Sequence, residues 1–310
     1  MQVEEIDART ASDARLLTLH EIEQACLPEL FPGEPGRSAA EAIAFYRHQP
    51  TTHETFTWLG AGGFAGLFIH GPKAAFLHLF VHPDRRRSGL GTALLAAVRA
   101  RAAEPGVEEL HGQHATPAGA AFAARFGATP GQRLVRSLLH LGSAELPLPL
   151  VPVAWSVQTW LTRVPDEHLA AFVRARAAMD DAPGSEAIEF PTASAERVRA
   201  SEDALIERKR EMRVTVAMHE SGEIGAFTEL RMSNGSVVAF TDDTGTIAAH
   251  RGIGLARAVK VESLRRLSAD HPEVEAVTTM NAEENGAMRH INESVGFRAV
   301  ATLTTATLAL

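Results

Sequence analysis

Only one cysteine, Cys26, occurs in the 310 residues, which excludes an intramolecular disulfide and any multi-cysteine metal site. Tyrosine is as rare: Tyr46 stands alone, and aromatics make up 6% of the chain. The apolar mass is therefore Ala, Leu and Val, which suits close-packed helices and strands. Lys73, Lys209 and Lys260 are the only lysines among 30 basic residues, so no single arginine is a strong functional signal. Acidic residues number 38, giving a net charge of −8, and this argues against a nucleic-acid partner. No run of about 18 apolar residues exists. The longest apolar stretch, Leu146 to Trp155, is broken by Pro147, Pro149 and Pro152, which excludes a membrane span. The start, MQVEEIDART, lacks the basic and apolar regions of a signal peptide. The expectation is a cytoplasmic protein, monomer or homodimer, with no membrane partner.

What is present is a repeat. FLHLFVHPDRRRSGLGTALLAAVRA runs from Phe76 to Ala100, and TGTIAAHRGIGLARAVKVESLRR from Thr244 to Arg266. Each is an extended apolar stretch, a basic turn with glycine, then a run of helical period. Leu90, Leu94, Leu95 and Val98 mark the first helix; Leu255, Val259, Leu264 and Leu267 mark the second. A strand, a helix, a glycine and a final strand follow in both: Val107–His114, Pro117–Phe126, Gly127 and Arg133–Leu141, then Val274–Met280, Glu284–Val295, Gly296 and a strand ending near Leu310. Both halves open with helical pattern, Ala14–Cys26 and Asp166–Met179, and reach a strand pair before the turn. Arg86 and Arg251 are 165 residues apart, about one domain length, so the repeat is a duplicated domain. The Pro-rich segment Leu146–Val153 reads as the linker, which gives domains 1–145 and 146–310.

Arg86-x-x-Gly89-x-Gly91 and Arg251-x-x-Gly254-x-Ala256 each stand where a strand ends and a helix starts. The first helical N–H groups there lack intrahelical partners, and small residues let a ligand approach them. With the helix dipole added, the turn suits an anion such as a pyrophosphate. A glycine that merely makes the turn is the alternative for either copy taken singly. Neither copy has the lysine of a Walker loop, and each lies too late in its domain for a dinucleotide fingerprint.

These residues resemble the GCN5-related N-acetyltransferase (GNAT) family, whose mark is Arg/Gln-x-x-Gly-x-Gly/Ala after a strand. Val81-His82-Pro83-Asp84 introduces the first copy as in that family. The second half resembles an actinobacterial subgroup through Asp181-Ala182-Pro183, the stretch Gly225 to Leu230, His250-Arg251-Gly252, Lys260, Asn281-Ala282-x-x-Asn285-x-x-Met288, Asn292 and Gly296-Phe297. The resemblance implies an α/β (α+β) fold with two tandem GNAT-like domains, each a splayed mixed sheet flanked by helices. It implies acetyl-CoA as co-substrate, an amine acceptor and no metal. The N–H groups of Arg87, Ser88, Gly89, Leu90, Gly91 and Thr92 would hold a CoA pyrophosphate beside Arg86. Gly252, Ile253, Gly254, Leu255, Ala256 and Arg257 would do so beside Arg251. Strand backbone near Val81 and Thr246 would pair with pantetheine. Asn285 would reach the cofactor with its amide, or cap a helix.

Acetyl transfer needs a base for the amine and an acid for the leaving thiolate. By the resemblance, Glu229 stands where the family places its base; a solvated strand carboxylate is the other reading. Asn292 stands at the family's acid, a tyrosine. Asn292 has no proton to give, so it orients, holds ligand or caps backbone. The first half has Ala123 there and no carboxylate on the strand before its motif; His70, His78 and His82 are nearby. Asp180-Asp181 and Asp242-Asp243 read as solvated turn pairs without a third metal ligand, and Glu207 to Glu211 reads as a solvated helix face. The expected function is acetyl-CoA-dependent N-acetylation of a small-molecule amine, with the second half catalytic and the first a possibly degenerate CoA binder. A non-catalytic acyl-CoA sensor or interaction protein, and a protein N-acetyltransferase, are the alternatives. The acceptor segments, roughly Glu29–His53 and Ala182–Ala204, carry no readable motif.

Overall fold

The structure is a computed structural model that describes residues 2–48, 54–69, 71, 73–179, 193–207 and 210–310. Asp180, the Asp181-Ala182-Pro183 motif, His70, Arg208 and Lys209 lie outside the described residues, as do His53 and part of Ala182–Ala204. The chain folds into two compact units, residues 1–134 with 301–310, and residues 135–300.

The elements of the first unit run β1 (Val3–Ile6), α1 (Asp13–Leu30), α2 (Ala39–Arg47), β2 (Glu54–Gly60), β3 (Gly63–Ile69), β4 (Ala74–Val81), α3 (Leu90–Ala103), β5 (Glu109–His114) and α4 (Pro117–Arg125), with β6 (Thr129–His140) leaving it. The second unit runs β7 (Trp155–Leu161), α5 (Asp166–Arg176), α6 (Ala195–Glu207), β8 (Arg210–His219), β9 (Ile224–Ser233), β10 (Val238–Thr246), α7 (Leu255–Asp270), β11 (Ala276–Ala282) and α8 (Gly286–Ser294), with β12 (Arg298–Ala309) leaving it. The order is the same in both, as the repeat predicts.

Strands β1 to β4 pair antiparallel in sequence order, and so do β7 to β10. Beyond them β5 joins β4, and β11 joins β10, in parallel. Helix α3 lays Leu94, Leu95 and Val98 on one face of the first sheet, against Trp58, Leu67 and Leu110. Helices α1 and α2 cover the other face with Leu16, Leu19 and Tyr46 around Phe64. In the second unit α7 sets Val261, Leu264 and Leu267 against Leu230, Val277 and Phe297, while Phe172 of α5 and Leu205 of α6 pack on Val214, Val216 and Phe227. Each such buried side chain contributes about 1.5–3 kcal/mol.

Three expectations need correction. The unit boundary is not at 145/146: it cuts β6 after Leu134, and residues 301–310 of β12 return to the first unit. There β12 pairs antiparallel with β5, Thr304 opposite His114 through Ala309 opposite Glu109, while β6 neighbours β11 in the second unit. The strand that closes each sheet thus comes from the other half of the sequence. Alternation marks a strand but not the sheet it joins, and pairing with a sequence neighbour is only the commoner outcome. Second, Asp242-Asp243 lies inside β10, not in a turn; acidic pairs suggest turns because their side chains compete for backbone N–H groups. Third, Glu207 ends α6 while Arg210 and Glu211 begin β8, so that charge run is not one helix face. The Pro-rich Leu146–Val153 does run without regular structure, with Leu148, Leu150 and Val153 exposed.

Helices α2 and α6 fall in stretches where no motif was legible. A signal was there: Ser38 and Ser194 are helix N-caps, Ser38 Oγ accepting the Glu41 N–H at 3.2 Å and Ser194 Oγ the Arg197 N–H at 3.3 Å.

Candidate active site

Both glycine turns have one backbone path. A single 3-10 turn, Pro83–Arg85 or Ala248–His250, follows the strand. Arg86 and Arg251 are then extended, at φ −65° and −69°. Arg87 and Gly252 turn left-handed, at φ +60° and +83°, and Gly89 and Gly254 do so again at +87° and +88°. Gly89 and Gly254 are the helix N-caps, and the first intrahelical bonds reach them from Ala93 at 3.1 Å and Ala258 at 3.0 Å. The N–H groups of Leu90, Gly91 and Thr92, and of Leu255, Ala256 and Arg257, stand ahead of those bonds with the dipole behind them.

The motif arginines brace this path. Arg86 Nε donates to the Val81 carbonyl at 3.3 Å, and Arg251 Nε to the Thr246 carbonyl at 3.2 Å. Those two carbonyls are thereby engaged by protein. Arg86 is also held by Glu29 of α1, Nη1 to Oε2 at 2.7 Å. Ser88 Oγ donates to the Arg85 carbonyl at 2.6 Å. Ile253 is exposed at the tip, whereas Leu90, Leu255 and Ala256 are buried and shape the turn through packing. Gly91 makes room: a Cβ there would stand 3.0 Å from the Phe122 ring of α4.

Beside each turn the sheet opens. Parallel pairing of β4 with β5 covers Ala74–Phe76 only, and that of β10 with β11 covers Val238–Thr241 only. Past those points the strand edges leading to Val81 and Thr246 have no parallel neighbour among the described residues, so backbone groups other than the Val81 and Thr246 carbonyls are open to an extended ligand.

In the second unit the structure brings Glu229 and Asp243 together. Glu229 is 3% exposed on β9, and Arg176 of α5 donates to its Oε1. The same guanidinium donates to Asp243 Oδ2 at 2.8 Å. A shift of register between Thr241 and Thr244 marks a bulge in β10 at Asp242 and Asp243. Carboxylate oxygens of Glu229, Asp242 and Asp243 lie within 4.8 Å of one another, so the acidic pair does have a third carboxylate nearby, contrary to the sequence expectation. The positive charge among them comes from Arg176, and from Arg231, which pairs with Asp242. Burial pushes the Glu229 carboxyl up to about 7, against the pull of Arg176. Burial, then Asp242, raises Asp243 as well.

Asn292 of α8 is buried, and its Nδ2 donates to Asn281 Oδ1 at 2.7 Å. Its own Oδ1 is buried with no partner among the described residues. Asn285 caps α8, its Oδ1 accepting the Met288 N–H at 3.1 Å, which is the capping role weighed above. In the first unit Gly66 and His78 are paired across β3 and β4, and Tyr46 OH donates to Glu23 at 2.8 Å, so the lone tyrosine is committed to packing. The residue sequence reasoning missed is Arg176; Asp243 reads there as a solvated turn residue, and the structure sets it beside Glu229 instead. Nothing local in α5 marks Arg176, one of 27 arginines; only the tertiary fold takes it to β9.

Comparison with known proteins agrees with this architecture. Residues 53–127 match the family model described as acetyltransferase (GNAT) domain. The mycothiol acetyltransferase of Saccharomonospora viridis is 30% identical over 189 residues, 56% of this chain and 55% of that protein. That of Mycobacterium ulcerans is 37% identical over 101 residues, 32% of this chain and 30% of that protein. The chain spans about half the length, or less, of these curated relatives. Among solved structures, a tandem GNAT protein from the clavulanic acid biosynthesis pathway superposes with a TM-score of 0.81 at 24% identity, covering 99% of this chain and 98% of that one. A GCN5-related N-acetyltransferase from Sphaerobacter thermophilus gives 0.71 at 17%, covering 99% and 95%. Residues 53–127 are thus similar to an acetyltransferase (GNAT) domain, and the chain as a whole has the fold of a tandem GNAT protein.

Proposed function

We propose that the chain is an acetyl-CoA-dependent N-acetyltransferase for the amine of a small molecule, with the second unit catalytic. The observation that carries this reading is Glu229, a buried carboxyl poised at about 7 on the strand beside the open edge of β10. A base near neutrality is half-ready to accept a proton and strong enough to hold it.

The residues fit the co-substrate. The exposed turn at residues 251–254 and the leading N–H groups of α7 form an anion cradle for the pyrophosphate. The unpaired edge of β10 suits pantetheine, and the orphaned Asn292 Oδ1 is an acceptor for a ligand N–H. Acetyl-CoA supplies an activated acetyl group as a thioester. Arg176 holds Glu229 as the carboxylate before the reaction, Glu229 takes the proton of the attacking amine, and solvent protonates the thiolate, because Asn292 cannot. The mycothiol acetyltransferase relatives favour a small acceptor over a protein. The first unit keeps the turn but has Gly66 and His78 across β3 and β4, so its part is cofactor binding or support.

The test is thiol release from acetyl-CoA against a panel of amines. Glu229→Gln is expected to lower the rate at least about a hundredfold, in line with the usual worth of a general base. Arg86→Glu is expected to leave most of it. If only Arg86→Glu abolishes turnover, the first unit is the catalytic one. The missing tyrosine favours a second reading, a non-catalytic acyl-CoA-binding protein. Tight acetyl-CoA binding without thiol release from any amine would select it, and failure to bind any acyl-CoA would end both.

A further inference from the structure

The base proposed above is gripped from two sides. Arg176 reaches it from α5 and spends its other terminal nitrogen on Asp243. The guanidinium lies 6.0 Å from the Phe172 ring centroid and 5.9 Å from that of Phe227, which screens it from water on that side. Asp242 and Asp243 face Glu229 from β10, with Arg231, two residues along β9, drawn to Asp242. From β8 the residue opposite Glu229 is the apolar Val214. Among the described residues, the charged groups that bear on Glu229 are therefore one guanidinium shared between two carboxylates and a second acidic side chain already paired.

We infer that Arg176 and Asp243 are positioning residues for Glu229, a clamp that fixes where its carboxylate points and how readily it takes a proton. The inference rests on the reading of Glu229 as the base. A fork of donors in one plane sets the direction of a carboxylate as a lysine would not. The two residues act with opposite sign. Arg176 favours the anion by attraction. Asp243 disfavours it by repulsion and by taking half of the donors of Arg176. Without Arg176, a carboxyl this deeply buried beside two others would stay protonated and be useless as a base. Without Asp243, Arg176 would attend to Glu229 alone and make it a weak one. Sharing the guanidinium places the group between those extremes.

The experiment titrates the carboxyl directly in the full chain. Glutamate is labelled with carbon-13 at the side-chain carboxyl, and the resonance missing from Glu229→Gln is Glu229. Arg176→Gln is expected to move its midpoint up by about one pH unit or more, and Asp243→Asn to move it down by a similar amount. Arg176→Lys should fall between wild type and Arg176→Gln. Opposite shifts from two neighbours are not produced by loosened packing. Midpoints unmoved in both variants, or moved in the same direction, would overturn the clamp. Dispersion of the other glutamate resonances reports folding; if Arg176→Gln does not fold, Arg176→Lys and Asp243→Asn carry the test. The rate of thiol release against pH is measured alongside. Midpoints that move while the acid limb of the rate stays put would leave the clamp standing and remove Glu229 as the base.

Discussion

Arg87 holds at φ +60° the left-handed backbone turn that Gly252 holds at φ +83° in the matching loop of the second unit. A side chain pays for that conformation with about 1–2 kcal/mol, and glycine does not. The first unit keeps the loop path in spite of the strain.

Gly252→Ala is therefore expected to destabilise the protein by about 1–2 kcal/mol through backbone strain, since among the described residues no atom beyond its chain neighbours lies within 4 Å of the added Cβ. Arg87→Gly should be neutral or stabilising by up to about 1 kcal/mol, relief of strain being partly offset by the entropy of an added glycine. Urea unfolding of both variants checks this pair.

Glu229 has a second signature, in stability. Its carboxyl is raised from 4.5 to about 7 in the folded state, so the folded chain binds the extra proton between those values. Stability from this group is complete below about pH 4.5 and falls as pH rises to about 7. Glu229→Gln removes that loss. The variant should gain in melting temperature over wild type at pH 8 relative to pH 5, while losing activity.

Lys260 is buried on α7 with its ammonium 5.6 Å from the Phe297 ring centroid, and burial alone lowers it from 10.5 to about 7. Here the unfolded state binds the extra proton. The cost is full below about pH 7 and relieved as pH rises towards 10.5. Lys260→Met should stabilise the protein by at least about 1 kcal/mol at pH 6, with the gain shrinking at pH 9. Chemical unfolding at the two pH values reads it.

Leu308 belongs by sequence to the second half, yet it is buried in the first unit with Trp58 and Leu110. Leu308→Ala should cost about 2–3 kcal/mol and should destabilise the first unit. Trp58 fluorescence during unfolding, with Trp155 and Trp160 replaced by Phe, reports on that unit. An unchanged Trp58 transition would place Leu308 elsewhere.

Much of this was legible in the residues. The helix stripe from Leu90 to Val98, the glycine turns and the order of elements follow from local pattern, because helical period and turn chemistry are properties of neighbours in sequence. The acidic pair in β10 was not legible as strand, since a bulge lets Asp242 and Asp243 occupy a ladder that their preferences oppose. Arg176 was not legible as a site residue, since its meaning comes from Glu229 and Asp243, 53 and 67 positions away. The exchange of closing strands was invisible for a related reason: two copies of one pattern offer each strand two equivalent seats.

That exchange has a consequence for how the protein is made. His111 on β5 bonds Thr307 on β12, a residue 196 positions later. A ribosome adding about 5–20 residues each second leaves the edge of β5 without its partner for some ten seconds or more after it is synthesised. During that interval the first unit offers an open strand to any other nascent chain, the circumstance in which sheets pair wrongly. The yield of folded protein is then expected to respond to synthesis rate and chaperone supply as well as to the stability of the finished fold.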